Sequence, residues 1–140
     1  MSGVTCPLCE GPGGTLLIER ERYRIIRAAE PDYPGFCRVI WREHRAEMSD
    51  LAAGEQSELM AAVWAVERAL RGLFAPDKIN LASLGNMVAH VHWHVIARRC
   101  DDRHFPQPVW AAPVREGGAD WPEVSDEALR AAVLRELGGV

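Results

Sequence analysis

Residues 89–99, AHVHWHVIARR, carry three of the chain's five histidines at alternate positions: His90, His92 and His94. Apolar residues stand between and after them: Val91, Trp93, Val95 and Ile96. Strict alternation is the pattern of a β-strand with two unlike faces, and Val, Ile and Trp are good strand formers. The pattern sends Val91, Trp93 and Val95 into a core and puts the three imidazoles on the opposite face. A strand's open face is more simply built from Thr, Ser or Lys, so three imidazoles in register point to chemistry. Residues two apart on a strand are separated by roughly 6.7 Å, which puts His90 and His94 about 13 Å apart. Zinc–nitrogen bonds of about 2.0–2.1 Å need convergent ligands, so a straight strand does not bring all three to one metal. The row suits an extended anion. Neutral imidazole is a nucleophile, and imidazolium is an acid and a phosphate ligand.

The rest of the chain must hold that strand in place. With 140 residues it makes one domain, 1–140, large enough for a core. Hydrophobic content of 48% and charged content of 26% are ordinary globular values. TLLIERERYRIIRA (15–28) reads as two short strands around a charged turn at Glu19–Arg22, and FCRVIW (36–41) as a third. MSD (48–50) offers helix-capping residues. From about 54 to 74, Leu59, Val63, Val66, Leu70 and Leu73 recur at helical spacing, with Met60, Trp64 and Phe74 widening the stripe as further core residues. Pro76 ends that helix. KINLASLGN (78–86) is a fourth strand entering a tight turn at Gly85–Asn86, and the histidine strand follows and pairs with it. Residues 100–123 are rich in Pro and Gly and read as loop, with SDEALRAAVLREL (125–137) as a final amphipathic helix. The order implies an α+β fold: an antiparallel sheet of about five strands, one long helix and a C-terminal helix.

The net charge of −4 argues against broad nucleic-acid binding, although Arg98, Arg99 and Arg103 offer a local basic rim. No apolar run approaches the roughly 18 residues of a membrane span, and MSGVTCPLCE has neither part of a secretory signal. The expected compartment is the cytoplasm, where the four cysteines serve as thiols or metal ligands rather than disulfides. Cys37 falls on a core strand, Cys100 has no evident partner, and His104 lies in a Pro-rich loop expected at the surface.

HVHWHVI, with PGFCRVIWREHRAEMSDL upstream and INLASLGNMVAHVHWHV around it, resembles the histidine triad (HIT) superfamily of nucleotide hydrolases and transferases. The resemblance covers roughly residues 4–112, leaving 113–140 as a C-terminal loop and helix. The combination of CPLC, DYPGFCRVIW and LGNMV is similar to a bacterial branch described as diadenosine-tetraphosphate-hydrolase-like. The resemblance implies that His92 attacks the α-phosphorus of a nucleotide, forming a covalent nucleotidyl–histidine that water or another acceptor resolves. It implies that His94 donates to the phosphate, that His90 orients the site or serves a metal, and that Asn80 and Asn86 contact the nucleotide. It also implies a small-molecule nucleotide substrate, with magnesium at most accompanying it, and a homodimer. No cofactor is expected for the chemistry itself.

The chain departs from the family at several positions. Met87 stands where many relatives have Ser or Thr, and Met donates no useful hydrogen bond. This favours a polyphosphate over a phosphoramidate substrate. Asn86 stands where Gln is common, Phe36 stands where several relatives have a histidine, and Glu30 is the nearest candidate for the ribose-binding carboxylate, though it reads more simply as a solvated loop acid. Cys6 and Cys9 form a Cys-x-x-Cys pair, the common half of a zinc site. Some family members complete such a site with the histidine before the long helix and the first of the triad, here His44 and His90. That set would be a closed structural site; the alternative is a pair of reduced thiols. Two other classes stay open: a protein that binds nucleotides without turning them over, and a metal-dependent hydrolase using His90 and His92 as ligands.

Overall fold

The computed structural model describes residues 5–138, so the extreme ends of the expected 1–140 domain, and residue 4 of its 4–112 core, lie outside the described residues. Five strands pair antiparallel in the order β1–β2–β3–β5–β4: β1 Thr15–Glu19, β2 Tyr23–Arg27, β3 Phe36–Trp41, β4 Lys78–Ala82 and β5 His92–Arg98. A short helix α1, Pro7–Glu10, precedes the sheet. The long helix α2, Ala53–Phe74, separates β3 from β4, and α3, Asp126–Leu137, closes the chain. This is the expected α+β architecture, with α1 as an addition.

β3 and β5 lie side by side, with Arg38 opposite His94, Ile40 opposite His92 and Phe36 opposite Ile96. Residues directly opposite on paired strands share a face. One face of the sheet therefore carries Phe36, Arg38, Ile40, His92, His94, Ile96 and Arg98. The other carries Cys37, Val39, Val95 and Ala97, all fully buried under α2. Leu59, Val63, Val66, Leu70 and Phe74 are the buried stripe of α2. Trp64, expected in that stripe, is instead 44% exposed. It follows Val63 by one residue, and one step turns a helical side chain about 100° away from the sheet.

The ends of α2 follow from local chemistry. Glu55 accepts the Ala52 N–H at 2.8 Å, and the helix stops at Ala75, which takes left-handed φ 44° just before Pro76. α3 begins at Ser125, whose Oγ accepts the Ala128 N–H at 3.1 Å. It is fastened to β1 by Arg130, which donates to the carbonyls of Leu17 and Leu16 at 2.9 and 3.0 Å.

The loop 100–123 has no regular structure, as expected, but two of its neighbours are not where composition suggests. Arg98 is 1% exposed, not part of a surface rim. It continues the period-two row of His92, His94 and Ile96, so it points to the face that the loop covers. There Asp102 accepts from Arg98 Nε and Nη2 at 2.8 and 3.1 Å, and from the backbone N–H groups of Arg99, His104 and Phe105. His104 is likewise buried, not at the surface, with Nδ1 2.6 Å from the Tyr33 hydroxyl. Arg99 and Arg103 remain partly exposed, over the Trp121 ring and beside Asp32.

Burial works against ionisation of Asp102, but Arg98 and the three backbone donors outweigh it and hold its carboxyl well below the ordinary range. A carboxyl with a depressed folded pKa contributes stability that is complete above the unfolded value, about 4, and is lost as pH falls below it. Asp102→Ala should cost about 3–5 kcal/mol in denaturant unfolding, because it leaves Arg98 charged and buried without its partner. Asp102→Asn should flatten the fall in stability below about pH 4 relative to the parent.

Candidate functional site

His92 and His94 lie on β5 with ring centroids 4.9 Å apart, edge to face. His92 Nδ1 is 2.6 Å from the His90 carbonyl oxygen. A carbonyl only accepts, so Nδ1 carries the proton and Nε2 carries the lone pair. His94 Nδ1 lies 3.4 Å from Arg38 Nε, which only donates, so the His94 proton sits on Nε2. Burial lowers the pKa of both rings. His94, with His92 and Arg38 also beside it, is brought down to about 4. The neighbouring pair is thus neutral at pH 7, one ring with a bare nitrogen and the other with a donor.

Both rings open on a cavity of about 600 Å³. One wall is the loop Leu84–Val88, which holds Asn86 and Met87 and turns at Gly85 with left-handed φ 74°. Pro7, Leu8 and Gly13 from the N-terminal segment form another part of the lining, and the Trp110 ring from the long loop has its centroid 4.9 Å from that of His94. Asn86 therefore lines the cavity. Asn80 does not: it accepts from Arg98 Nη1 at 2.6 Å and borders a separate hollow behind Trp110 and Pro108. Phe36 packs edge-on to His94 and Trp110, with ring centroids at 5.7 and 6.4 Å. Glu30 is exposed and away from the lining.

Sequence reasoning missed Arg38, which lines the cavity and donates from Nη1 to the Gly13 carbonyl at 3.1 Å. The signal was a lone charge inside the apolar strand FCRVIW, on the same face as Phe36 and Ile40. Gly13 itself has φ 86°, and a Cβ there would lie 2.9 Å from Leu8 Cδ2, so the tight N-terminal wall needs glycine.

His90, expected on the strand face beside His92 and His94, instead precedes β5 and is absent from the cavity lining, because its ring is drawn to the cysteine-bearing segment. Its Nδ1 faces Cys6 Sγ at 3.4 Å, Cys9 Sγ at 3.5 Å and His44 Nδ1 at 3.2 Å, while Cys9 Sγ is 3.4 Å from His44 Nδ1. The four ligand atoms lie within 4.8 Å of one another. Zinc bonds of about 2.3 Å to sulfur and 2.0–2.1 Å to nitrogen, set tetrahedrally, space such atoms roughly 3.3–3.8 Å apart. His90 Nε2 donates to the Trp41 carbonyl at 2.6 Å, which leaves Nδ1 as the bare, metal-facing nitrogen. The donor set fits zinc. Arg24 from β2 secures the segment that carries the cysteines, donating to the carbonyls of Leu8, Gly11 and Pro12 at 2.7, 2.8 and 2.9 Å.

Comparison with known proteins agrees with this fold. A crystal structure of a histidine triad protein from Bradyrhizobium japonicum is 27% identical, with TM-score 0.72, covering 96% of this chain and 97% of its own. A histidine triad protein from Sinorhizobium meliloti is 24% identical, with TM-score 0.73 and the same coverage. A zinc-bound histidine triad family protein from Mycobacterium smegmatis shares the fold at 22% identity and TM-score 0.64, covering 94% of each chain. No curated protein matches the sequence. The HIT domain family matches residues 13–101, which hold all five strands, the long helix and the histidine row, and the chain belongs to that family.

Proposed function

We propose that the protein is a nucleotidyl-transferring hydrolase that cleaves at the α-phosphate of a nucleoside polyphosphate or adenylated compound. The observation that carries this is the hydrogen bond from His92 Nδ1 to the His90 carbonyl, which leaves Nε2 bare towards the cavity. In the first step Nε2 bonds to the α-phosphorus while the phosphorus–oxygen bond to the leaving group breaks. The imidazolium so formed keeps its proton on Nδ1, which donates to the His90 carbonyl. His94 Nε2–H donates to the developing charge on the phosphate, where a fixed donor counts for most. Water then attacks phosphorus, the nitrogen–phosphorus bond breaks, and His92 returns neutral. Asn86 contacts the nucleotide from the Leu84–Val88 loop, and Met87 offers no hydroxyl to an amine leaving group, which favours the polyphosphate class. The alternative of a metal-dependent hydrolase on His90 and His92 finds no support in the geometry, since the two rings serve different sites.

The same reading assigns one structural zinc to Cys6, Cys9, His44 and His90, where it would tie the N-terminal segment to the sheet. It also takes the enzyme to be a homodimer. The open edge of β4 and the exposed Trp64 on α2 support that assignment.

His92→Ala should lose turnover of dinucleoside polyphosphates by several orders of magnitude while still binding nucleotide. Mass spectrometry of acid-quenched parent protein should show the nucleotidyl adduct. Near-normal turnover in His92→Ala would end the covalent route. Metal analysis of protein purified without added metal should give about one zinc per chain. The Cys6→Ser/Cys9→Ser double variant should lose that zinc and unfold at lower temperature. Chelated but folded protein should still form the His92 adduct. His94, its pKa lowered to about 4, should hold constant ring resonances from pH 8 to pH 5 and shift only near pH 4 in an NMR titration.

A further inference from the structure

Arg38 is a half-buried guanidinium with no acidic partner: among the described residues no carboxylate lies within ion-pair distance of it. The contrast with Arg98 is direct. Arg98 lies on the same face of the sheet, and the fold gives it Asp102, Asn80 and the Gln107 carbonyl. Arg38 has only neutral acceptors, the Gly13 carbonyl and His94 Nδ1, and its remaining edge faces the cavity. Its charge lies over the Phe36 ring, with Cζ 5.3 Å from the centroid. Those neutral contacts fix the plane of the guanidinium without neutralising it. Removing a cation from water without an anion is costly, and a guanidinium's planar fork matches phosphate oxygens. No carboxylate lines the cavity among the described residues; the exposed Glu30 acts on Arg38 only through space, without an ion pair, so the guanidinium edge in the cavity stays open to a second negative group.

We propose that Arg38 is the specificity-determining residue of the cavity, binding a second phosphate of the substrate beside the one His92 attacks. The proposal deepens the nucleotidyl-transfer reading and rests on it for the identity of the first phosphate. The second phosphate has two chemical sources: the next phosphoryl group of a polyphosphate chain, or a phosphomonoester elsewhere on the nucleotide. In either case the N-terminal wall, through Gly13, holds the guanidinium in position. A substrate with a single phosphate joined to a neutral amine would leave Arg38 without an anion.

The test is calorimetric, on the full chain carrying His92→Asn so that bound ligand is not consumed. Its ligands are adenosine monophosphate, adenosine diphosphate and an adenosine bisphosphate with the second phosphate on the ribose. On the Arg38 side chain present, one of the two-phosphate ligands should bind at least about tenfold more tightly than the monophosphate, a gain typical of a charge-assisted pair. Whichever ligand shows the gain identifies the source. Arg38→Met and Arg38→Gln should each reduce the gain to within about threefold, while Arg38→Lys, a point charge without the fork, should keep part of it. Arg38→Gln retains a donor for Gly13, and thermal unfolding confirms that each variant is folded. The proposal is overturned if neither two-phosphate ligand gains affinity, or if the gain survives in a folded Arg38→Gln protein. Failure of the nucleotidyl-transfer reading is separate: it appears as absence of a His92 adduct in the parent while the Arg38-dependent gain persists.

Discussion

His90 has a ring nitrogen, a second ring nitrogen and a carbonyl, and each faces a different part of the molecule. Nδ1 faces two thiols and a second imidazole, Nε2 donates to the Trp41 carbonyl at the end of β3, and the carbonyl accepts from His92. The backbone N–H of the same residue donates to the Val88 carbonyl, at the end of the loop that walls the cavity. One residue therefore ties together the cysteine-bearing segment, the sheet, the cavity wall and the tautomer of the ring beside it. A change in the position of His90 moves all four. The proton on His92 is where it is because a backbone carbonyl, fixed by these bonds, leaves no other choice.

Desolvation sets the electrical character of the cavity. Buried imidazoles resist protonation, so the pair that faces the cavity is neutral at physiological pH, and the nearby guanidinium reinforces this. A nucleophilic nitrogen must be unprotonated, so burial and chemistry pull in the same direction here. At the other end of the same strand face, burial of Arg98 is compensated by a carboxylate with a full set of donors. The strand face thus passes from neutral rings to a neutralised ion pair. Arg38, on the neighbouring strand, is the exception to that neutrality.

The N-terminal segment belongs to the site even though it is remote from the histidines in sequence. Pro7, Leu8 and Gly13 form a cavity wall, Cys6 and Cys9 reach His44 and His90, and Arg24 binds three carbonyls between Leu8 and Pro12. The segment has few buried residues of its own, Leu8 being the main one, so polar attachments do most of the work of holding it.

Periodicity alone determined much of this protein. The two-residue repeat of β5, the helical repeat of α2, Pro76 after α2 and Ser125 before α3 are local signals, written in neighbouring residues, and the elements formed there, except that β5 starts at His92 and leaves His90, first of the row, outside it. The Cys-x-x-Cys pair is local as well, and the family resemblance supplied its two distant partners. What sequence did not determine is what each side chain meets. Arg98 and Arg99 are adjacent arginines, yet one is buried and the other partly exposed, because Arg98 is the last residue of β5, on the face that Asp102 covers, while Arg99 lies just beyond the strand, over the Trp121 ring. His104 reads as a surface histidine until Tyr33, 71 positions away, is folded against it. Trp64 reads as core until the sheet fixes which side of α2 is covered. Arg38 looks like an ordinary charged residue until β3 pairs with β5 and sets it opposite His94. Burial, tautomer and charge state depend on contacts between residues far apart in the chain, and only the tertiary structure brings those residues together.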